Sequence, residues 1–126
     1  LMIVDADHFK DINDHFGHLA GDSVLKDLAG RLQASLRSGD RLFRFGGEEF
    51  VVICEDLEPE AGRAHAEALR ALVEADIRRP DGVAITVSIG VANSYTDGTT
   101  LNALLSAADT RLYAAKSAGR NRVVAG

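Results

Sequence analysis

Between residues 83 and 91 the chain places an apolar residue at every second position: Val83, Ile85, Val87, Ile89 and Val91. A period of two sends alternate side chains to one face of an extended segment, so these residues predict a strand, and a central place in a sheet is expected for it. What flanks it has a different period. Ala61, Ala68, Leu69, Leu72 and Val73 before it, and Leu101, Leu104, Leu105, Ala108 and Leu112 after it, recur at helical spacing. They predict helices from about 59 to 76, with an acidic first turn suited to the dipole, and from 101 until Gly119 ends it.

A strand between two long helices needs other strands to pair with. Leu1 to Val4 is a short apolar run ending in Asp5, as a buried strand ends at a sheet rim. Val24, Leu25, Leu28, Leu32 and Leu36 predict a helix from Gly21, with Asp22 as its cap and Gly39-Asp40 as its end. Residues 41–45 and 48–54 read as two strands, and Gly46-Gly47 between them suits a two-residue hairpin in which both glycines take positive φ. Val123-Val124 adds a last short strand. The order β-α-β-β-α-β-α-β predicts an α+β fold: a ferredoxin-like or palm-type split βαβ sandwich, with a central antiparallel sheet flanked by helices and one added helix–strand pair. At 126 residues with 46% hydrophobic content, residues 1–126 make one domain able to bury a continuous core.

Composition also restricts function. A net charge of −5 argues against a nucleic-acid polymer as partner, and an acidic protein that handles phosphates needs divalent metal. Cys54, the single cysteine, has no internal partner and is read as a buried small hydrophobe in a reducing, cytoplasmic setting. No run is long enough to span a membrane, which leaves any tether to an inner membrane to residues outside this chain. The chain opens inside the apolar run Leu1-Met2-Ile3-Val4 without an initiator methionine, so it is expected to be a piece of a longer protein.

In this plan the end of the first strand and the hairpin are neighbours, so Asp5, Glu48 and Glu49 are expected to converge from distant parts of the chain. Adjacent like charges repel unless a cation lies between them, and carboxylates without soft donors suit Mg²⁺ or Mn²⁺ with open positions for phosphate oxygens. On the residues alone, a solvated turn that keeps a sheet edge soluble is equally open. The segment after Asp5 is not a calcium loop, because Lys10 and Phe16 stand where glycine and glutamate are required. His15, His18 and Asp22 have zinc-like spacing, but Gly17 and Gly21 put a bend there and no supporting partner is evident.

Guanine presents N–H donors beside an acceptor, which a carboxylate next to an amide can read; Asn13 and Asp22 supply that pair, although a helix cap and an ordinary loop residue are the simpler local readings. Lys116 and Arg120 either complete a basic helix end or hold the outer phosphates of a nucleotide. No GxxxxGK[ST] pattern occurs, which excludes a P-loop.

Four stretches together match a known pattern: DADHFKDINDHFGHLAGD at 5–22, RFGGEEF at 44–50, Val87-Ser88-Ile89-Gly90-Val91, and Ala108-Asp109 through Tyr113-Ala114-Ala115-Lys116-Ser117-Ala118-Gly119-Arg120-Asn121. In this order the chain resembles the GGDEF domain of diguanylate cyclases, with the signature in its GGEEF form and without the usual lead-in before the first strand. The resemblance implies condensation of two GTP into cyclic di-GMP with release of two pyrophosphates. It implies two Mg²⁺ (or Mn²⁺) ions per active site, held by Asp5, the Ala6 carbonyl and Glu48 with support from Glu49, and catalysis by Glu48, Glu49 and Lys116.

Gly46 and Gly47 would leave room for the nucleotide. Asn13 and Asp22 match the guanine-reading positions, His18 lies in the same segment, and His8, Phe9, Lys10, Lys116 and Arg120 would take the phosphates. One domain supplies one nucleotide pocket, so a two-fold homodimer is inferred as the working unit. Arg37 and Asp40 fit the RxxD motif that binds product, and a sensory or regulatory domain upstream is a family-level expectation. His8 stands where an aromatic is common, and Ala68 where some members carry a product-contacting arginine. The rival readings are a non-catalytic module that senses GTP or cyclic di-GMP, and a related nucleotide cyclase or polymerase that accepts ATP.

Overall fold

The computed structural model describes residues 1–126. Its elements are β1 (Met2–Ala6), α1 (Phe9–Phe16), α2 (His18–Ala34), β2 (Arg41–Arg44), β3 (Glu49–Ile53), α3 (Pro59–Asp76), β4 (Val87–Val91), α4 (Leu101–Ser117) and β5 (Val123–Ala125). The sheet order is β2-β3-β1-β4-β5. The first four strands are antiparallel neighbours, and β5 runs parallel to β4. This is the split βαβ arrangement with the added helix and strand at one edge, as expected.

Alternation along β1 divides the core. Met2, Val4 and Ala6, with Phe50 and Val52 of β3, pack against Phe9 and Ile12 of α1, Leu25, Leu28 and Leu32 of α2, and Leu69 and Val73 of α3. Ile3 and Val51 face the other way, onto Ala108 and Leu112 of α4. Three helices therefore cover one face of the sheet and one covers the other. Gly90 allows the closer of these contacts, since a Cβ there would lie 2.0 Å from the Ala108 carbonyl oxygen. No helix is long and apolar enough to cross a membrane.

Several boundaries differ from the sequence reading, each for a local reason. The strand expected over 83–91 is two pieces. The Ile85 amide donates to the Ile77 carbonyl and Ala84 bridges Arg78, so 83–85 turn back on 77–79 while only 87–91 join the sheet. That strand is interior, but β1 holds the middle place. On α3 the inward face is Gly62, Ala66, Leu69 and Val73, whereas Ala61 and Ala68 are exposed.

Helix begins earlier than Gly21: α1 and α2 are separated only by Gly17, at φ 87°. Asp22 lies inside α2 and is not its cap, and the helix stops at Ala34. The hairpin tip is longer than two residues. The last ladder pair is Arg44 with Phe50, the Phe45 amide donates to the Glu49 carbonyl at 2.8 Å, and only Gly46 of the glycine pair takes positive φ.

Candidate active site

The strand β1 ends where its pleat carries Asp5 toward α4, directly across from Glu49 of β3. Asp5 is almost fully buried and accepts a hydrogen bond from Lys116 Nζ of α4 at 3.0 Å. Glu48 stands at the hairpin tip, whose carbonyl is joined to β1 by the Ala6 amide at 3.3 Å. A hollow of about 210 Å³ is lined by Asp5, Ala6, His8, Phe9, Lys10, Glu48, Lys116 and Arg120, together with Asp7 and Asp11. The first strand, the start of α1, the hairpin tip and the end of α4 thus meet at one place.

The electrostatics follow from that convergence. Burial raises the Asp5 carboxyl above its ordinary value, against the opposing pull of Lys116. Burial and then the charge of Asp5 raise both Glu48 and Glu49, again with Lys116 opposing. Acids held up by burial and by one another gain when a cation shares them. The expected convergence is nevertheless pairwise: Asp5 and Glu48 share the hollow, Glu49 lies opposite Asp5 outside its lining, and these acids do not gather three ligand oxygens within 4.8 Å of one another. Lys116 occupies one oxygen of Asp5 in this arrangement.

The rim is suited to anions. His8 has φ 56° at the start of α1, and the first helical bonds run from the Asp11 and Ile12 amides to the His8 carbonyl. The amides of Phe9 and Lys10 are thereby left without an acceptor inside the helix, an arrangement that favours negative groups. Arg120 sits in a tight turn at φ 64°, held by Asp7: its carboxylate accepts from the Thr86 and Ser88 hydroxyls at 2.7 Å each and from the Asn121 amide at 3.0 Å. Asp7 was not singled out in the sequence. Its place two residues after Asp5, in the turn that follows β1, was the available sign.

A second group lies at the α1–α2 corner, outside the hollow. Asn13 packs so closely on Gly21 that a Cβ there would lie 1.8 Å from its Oδ1, and that oxygen is buried with no hydrogen-bond partner. Asp22 follows Gly21, and His18 precedes it by one turn on the exposed side of α2. At the hairpin tip Arg44 donates to the carbonyls of Gly46 and Gly47, the latter at 2.7 Å, and nothing of this chain lies within 4 Å of where a Gly47 Cβ would be.

Arg37 and Asp40 lie far from these groups and bind each other. Arg37 Nη2 donates to Oδ1 at 2.9 Å, its Nε to Oδ2 at 3.3 Å and its amide to Oδ2 at 2.9 Å. The carboxylate is buried while the guanidinium is 41% exposed. His65 of α3, which the sequence reading passed over, is 3.1 Å from Asp40 Oδ2. Cys54 is only half-buried, a correction to the reading of it as a buried residue. Burial and the neighbouring Asp40 push its thiol up to about 11.

A family model described as diguanylate cyclase, GGDEF domain, matches residues 1–122. The diguanylate cyclase DgcP of Pseudomonas aeruginosa is 47% identical over 125 residues, 98% of this chain and 18% of that protein. The crystal structure of the GGDEF domain of YfiN (TpbB) from the same species superposes with a TM-score of 0.92 at 37% identity, covering 99% of this chain and 80% of that one. The GGDEF domain of DgcB from Caulobacter crescentus, solved with cyclic di-GMP, gives 0.88 at 33% identity, with 98% and 75% covered. The chain spans well under half the length of the curated relatives it matches. The family match, the sequence identities and the superpositions agree: the chain belongs to the GGDEF family of diguanylate cyclase domains.

Proposed function

We propose that residues 1–126 form one catalytic domain that condenses two GTP into cyclic di-GMP and releases two pyrophosphates. The observation that carries this is the shared hollow, in which two acids with raised pKa values, Asp5 and Glu48, stand beside Lys10, Lys116, Arg120 and the open amides of α1. The donor set fits hard divalent ions. Asp5, the Ala6 carbonyl and Glu48 would hold two of them, Mg²⁺ or Mn²⁺, with Glu49 adding negative charge behind. When bound, such ions offset charge on the α-phosphate and lower the pKa of the attacking 3′ hydroxyl.

The chain's own groups do the positioning. Lys10, Lys116, Arg120 and the amides near His8 and Phe9 hold the phosphates, so that Lys116 exchanges one oxygen partner, on Asp5, for another. The orphaned Oδ1 of Asn13 accepts an N–H of guanine and Asp22 accepts a second, a pairing that adenine does not offer. The bare Gly46-Gly47 tip, its carbonyls held by Arg44, leaves room for the nucleotide.

Each 3′ hydroxyl loses its proton to solvent and its oxygen bonds to the α-phosphorus of the opposing nucleotide as the α–β bridge breaks and pyrophosphate leaves. That reciprocity requires two facing pockets, hence a two-fold homodimer. Arg37 and Asp40 are the product's feedback site, an input domain upstream brings the subunits together, and the domain works in the cytoplasm, with any tether outside it. Incubation with GTP and Mg²⁺, followed by mass identification of the product, tests the reading. Cyclic di-GMP from the native chain and none from Glu48→Ala is the expected result; no product from a folded, dimeric native protein overturns it.

A further inference from the structure

The only grouping of three metal-ligating side chains within 4.8 Å of one another lies away from the catalytic hollow, and it is Asp40, Cys54 and His65. Asp40 immediately precedes β2, Cys54 immediately follows β3, and His65 comes from α3. The first two close the open end of the hairpin, next to the ladder pair Arg41 with Ile53. The three donors are oxygen, sulfur and nitrogen. That mixture suits a borderline-soft ion and not magnesium.

We propose that Asp40, Cys54 and His65 form a transition-metal site that takes Zn²⁺ on a carboxylate oxygen, the sulfur and Nε2, with solvent in the fourth position. Around a tetrahedral zinc, neighbouring ligand atoms lie about 3.3–3.8 Å apart. His65 Nε2 and Asp40 Oδ2 are already 3.1 Å apart, so the ion replaces a hydrogen bond without moving either element far. The support behind the ligands is in place: Arg37 orients the carboxylate through its amide and guanidinium, and also donates to the Glu55 carbonyl at 3.1 Å. Outer partners of this kind fix a ligand's geometry. Cys54 also lines a surface hollow of about 400 Å³, so the sulfur side of the group is open to solvent.

The carboxylate and the thiolate offset the ion's two charges, Arg37 on the carboxylate leaves the group one net positive charge, His65 stays neutral, and the thiol proton is released to solvent on binding. The site lies outside the catalytic hollow and survives if that reaction fails, but it shares Asp40 and Arg37 with the feedback site proposed above, so bound ion and cyclic di-GMP exclude one another there. Its consequence is structural, because the ion ties the two strand ends of the hairpin to α3.

The test is titration of the reduced native chain with Co²⁺ in excess Mg²⁺, which keeps oxygen-only sites filled. The expected result is a thiolate-to-cobalt charge-transfer band and tetrahedral d–d bands that saturate at about one equivalent per chain and are bleached by Zn²⁺. Cys54→Ser should lose the charge-transfer band, and His65→Ala should weaken binding at least about tenfold. Glu48→Gln should retain both features. Absence of a thiolate band in the folded native chain, or an unchanged titration in His65→Ala, overturns the site; since the first readout needs no variant, a failure of either variant to fold does not protect the proposal.

Discussion

The β2–β3 hairpin carries acids at both ends and treats them in opposite ways. At the closed end, burial and mutual repulsion raise Glu48 and Glu49, with Asp5 raised beside them. At the open end Asp40 is also desolvated, yet the Arg37 guanidinium and amide, with His65, hold it below its ordinary value. One end stores charge that a cation can relieve. The other has its charge answered within the chain. A domain that builds an unsatisfied cluster on a strand end can do so because satisfied clusters elsewhere hold the same strands in place.

The largest effect that would break this contrast is on turnover. Asp5→Asn keeps the shape of the residue that links β1, Glu48 and Lys116 and removes its charge. A fall of about 1,000-fold in product formation, about 4 kcal/mol of transition-state stabilisation, is expected, with melting temperature unchanged or slightly higher. Steady-state assays alongside thermal melts check both halves. A variant that melts much earlier would mean the closed end is structural after all.

The counterpart at the open end concerns stability. Asp40→Asn leaves the Arg37 fork and His65 short of an ionised partner in a buried place, and should cost about 1–3 kcal/mol at neutral pH. The sign in pH follows from its lowered pKa. The carboxylate stabilises the fold above its ordinary value near 3.8, and that contribution disappears as pH falls through the lower folded value. Melts of the native chain and the variant should therefore differ at pH 7 and converge as pH drops below 3.8.

How much of this was legible before the structure depends on the range of the forces involved. The helices α3 and α4 and the last strand follow from local period, the acidic first turn of α3 and the glycine after α4, and they lie where expected. The helix α1 was missed because most of its residues are polar; Phe9, Ile12 and Phe16 at helical spacing were the sign. The meeting of Asp5 with Glu48 was legible because the fold class dictates which strand ends adjoin.

The grip of Lys116 on Asp5, the role of Asp7 and the grouping of Asp40, Cys54 and His65 depend on side-chain directions across three elements. No spacing in the chain encodes those. Nor does the pattern Val83 to Val91 record that residues 83–85 find a better partner in 77–79 than in the sheet.

Glycines at the two ends give a smaller and more symmetrical comparison. Gly39, at the open end, has φ 92°, so Gly39→Ala should cost about 1 kcal/mol of stability and leave turnover at saturating GTP intact. Gly47 has no positive φ and open space where a Cβ would go. Gly47→Ala should fold as well as the native chain or slightly better, and its cost should appear as a raised KM for GTP. Denaturant melts paired with kinetics separate the two; a stability loss at Gly47 would show that its side chain is excluded by the chain and not by the nucleotide.

The smallest effect is the most direct measure of stored charge. Because the Glu48 pKa is raised on folding, its ionised form opposes the fold at neutral pH, and the opposition fades as pH falls through the raised folded value and is gone below the ordinary value near 4.5. Glu48→Gln should therefore stabilise the metal-free chain by a few tenths of a kcal/mol at pH 7, and the gain should vanish below that pH. Added Mg²⁺ should raise the melting temperature of the native chain more than that of the variant, since binding to the folded state alone stabilises it. Equal responses to Mg²⁺ would place the ion's binding energy elsewhere, and a variant less stable than the native chain at pH 7 would mean that Glu48 is already paired within the fold.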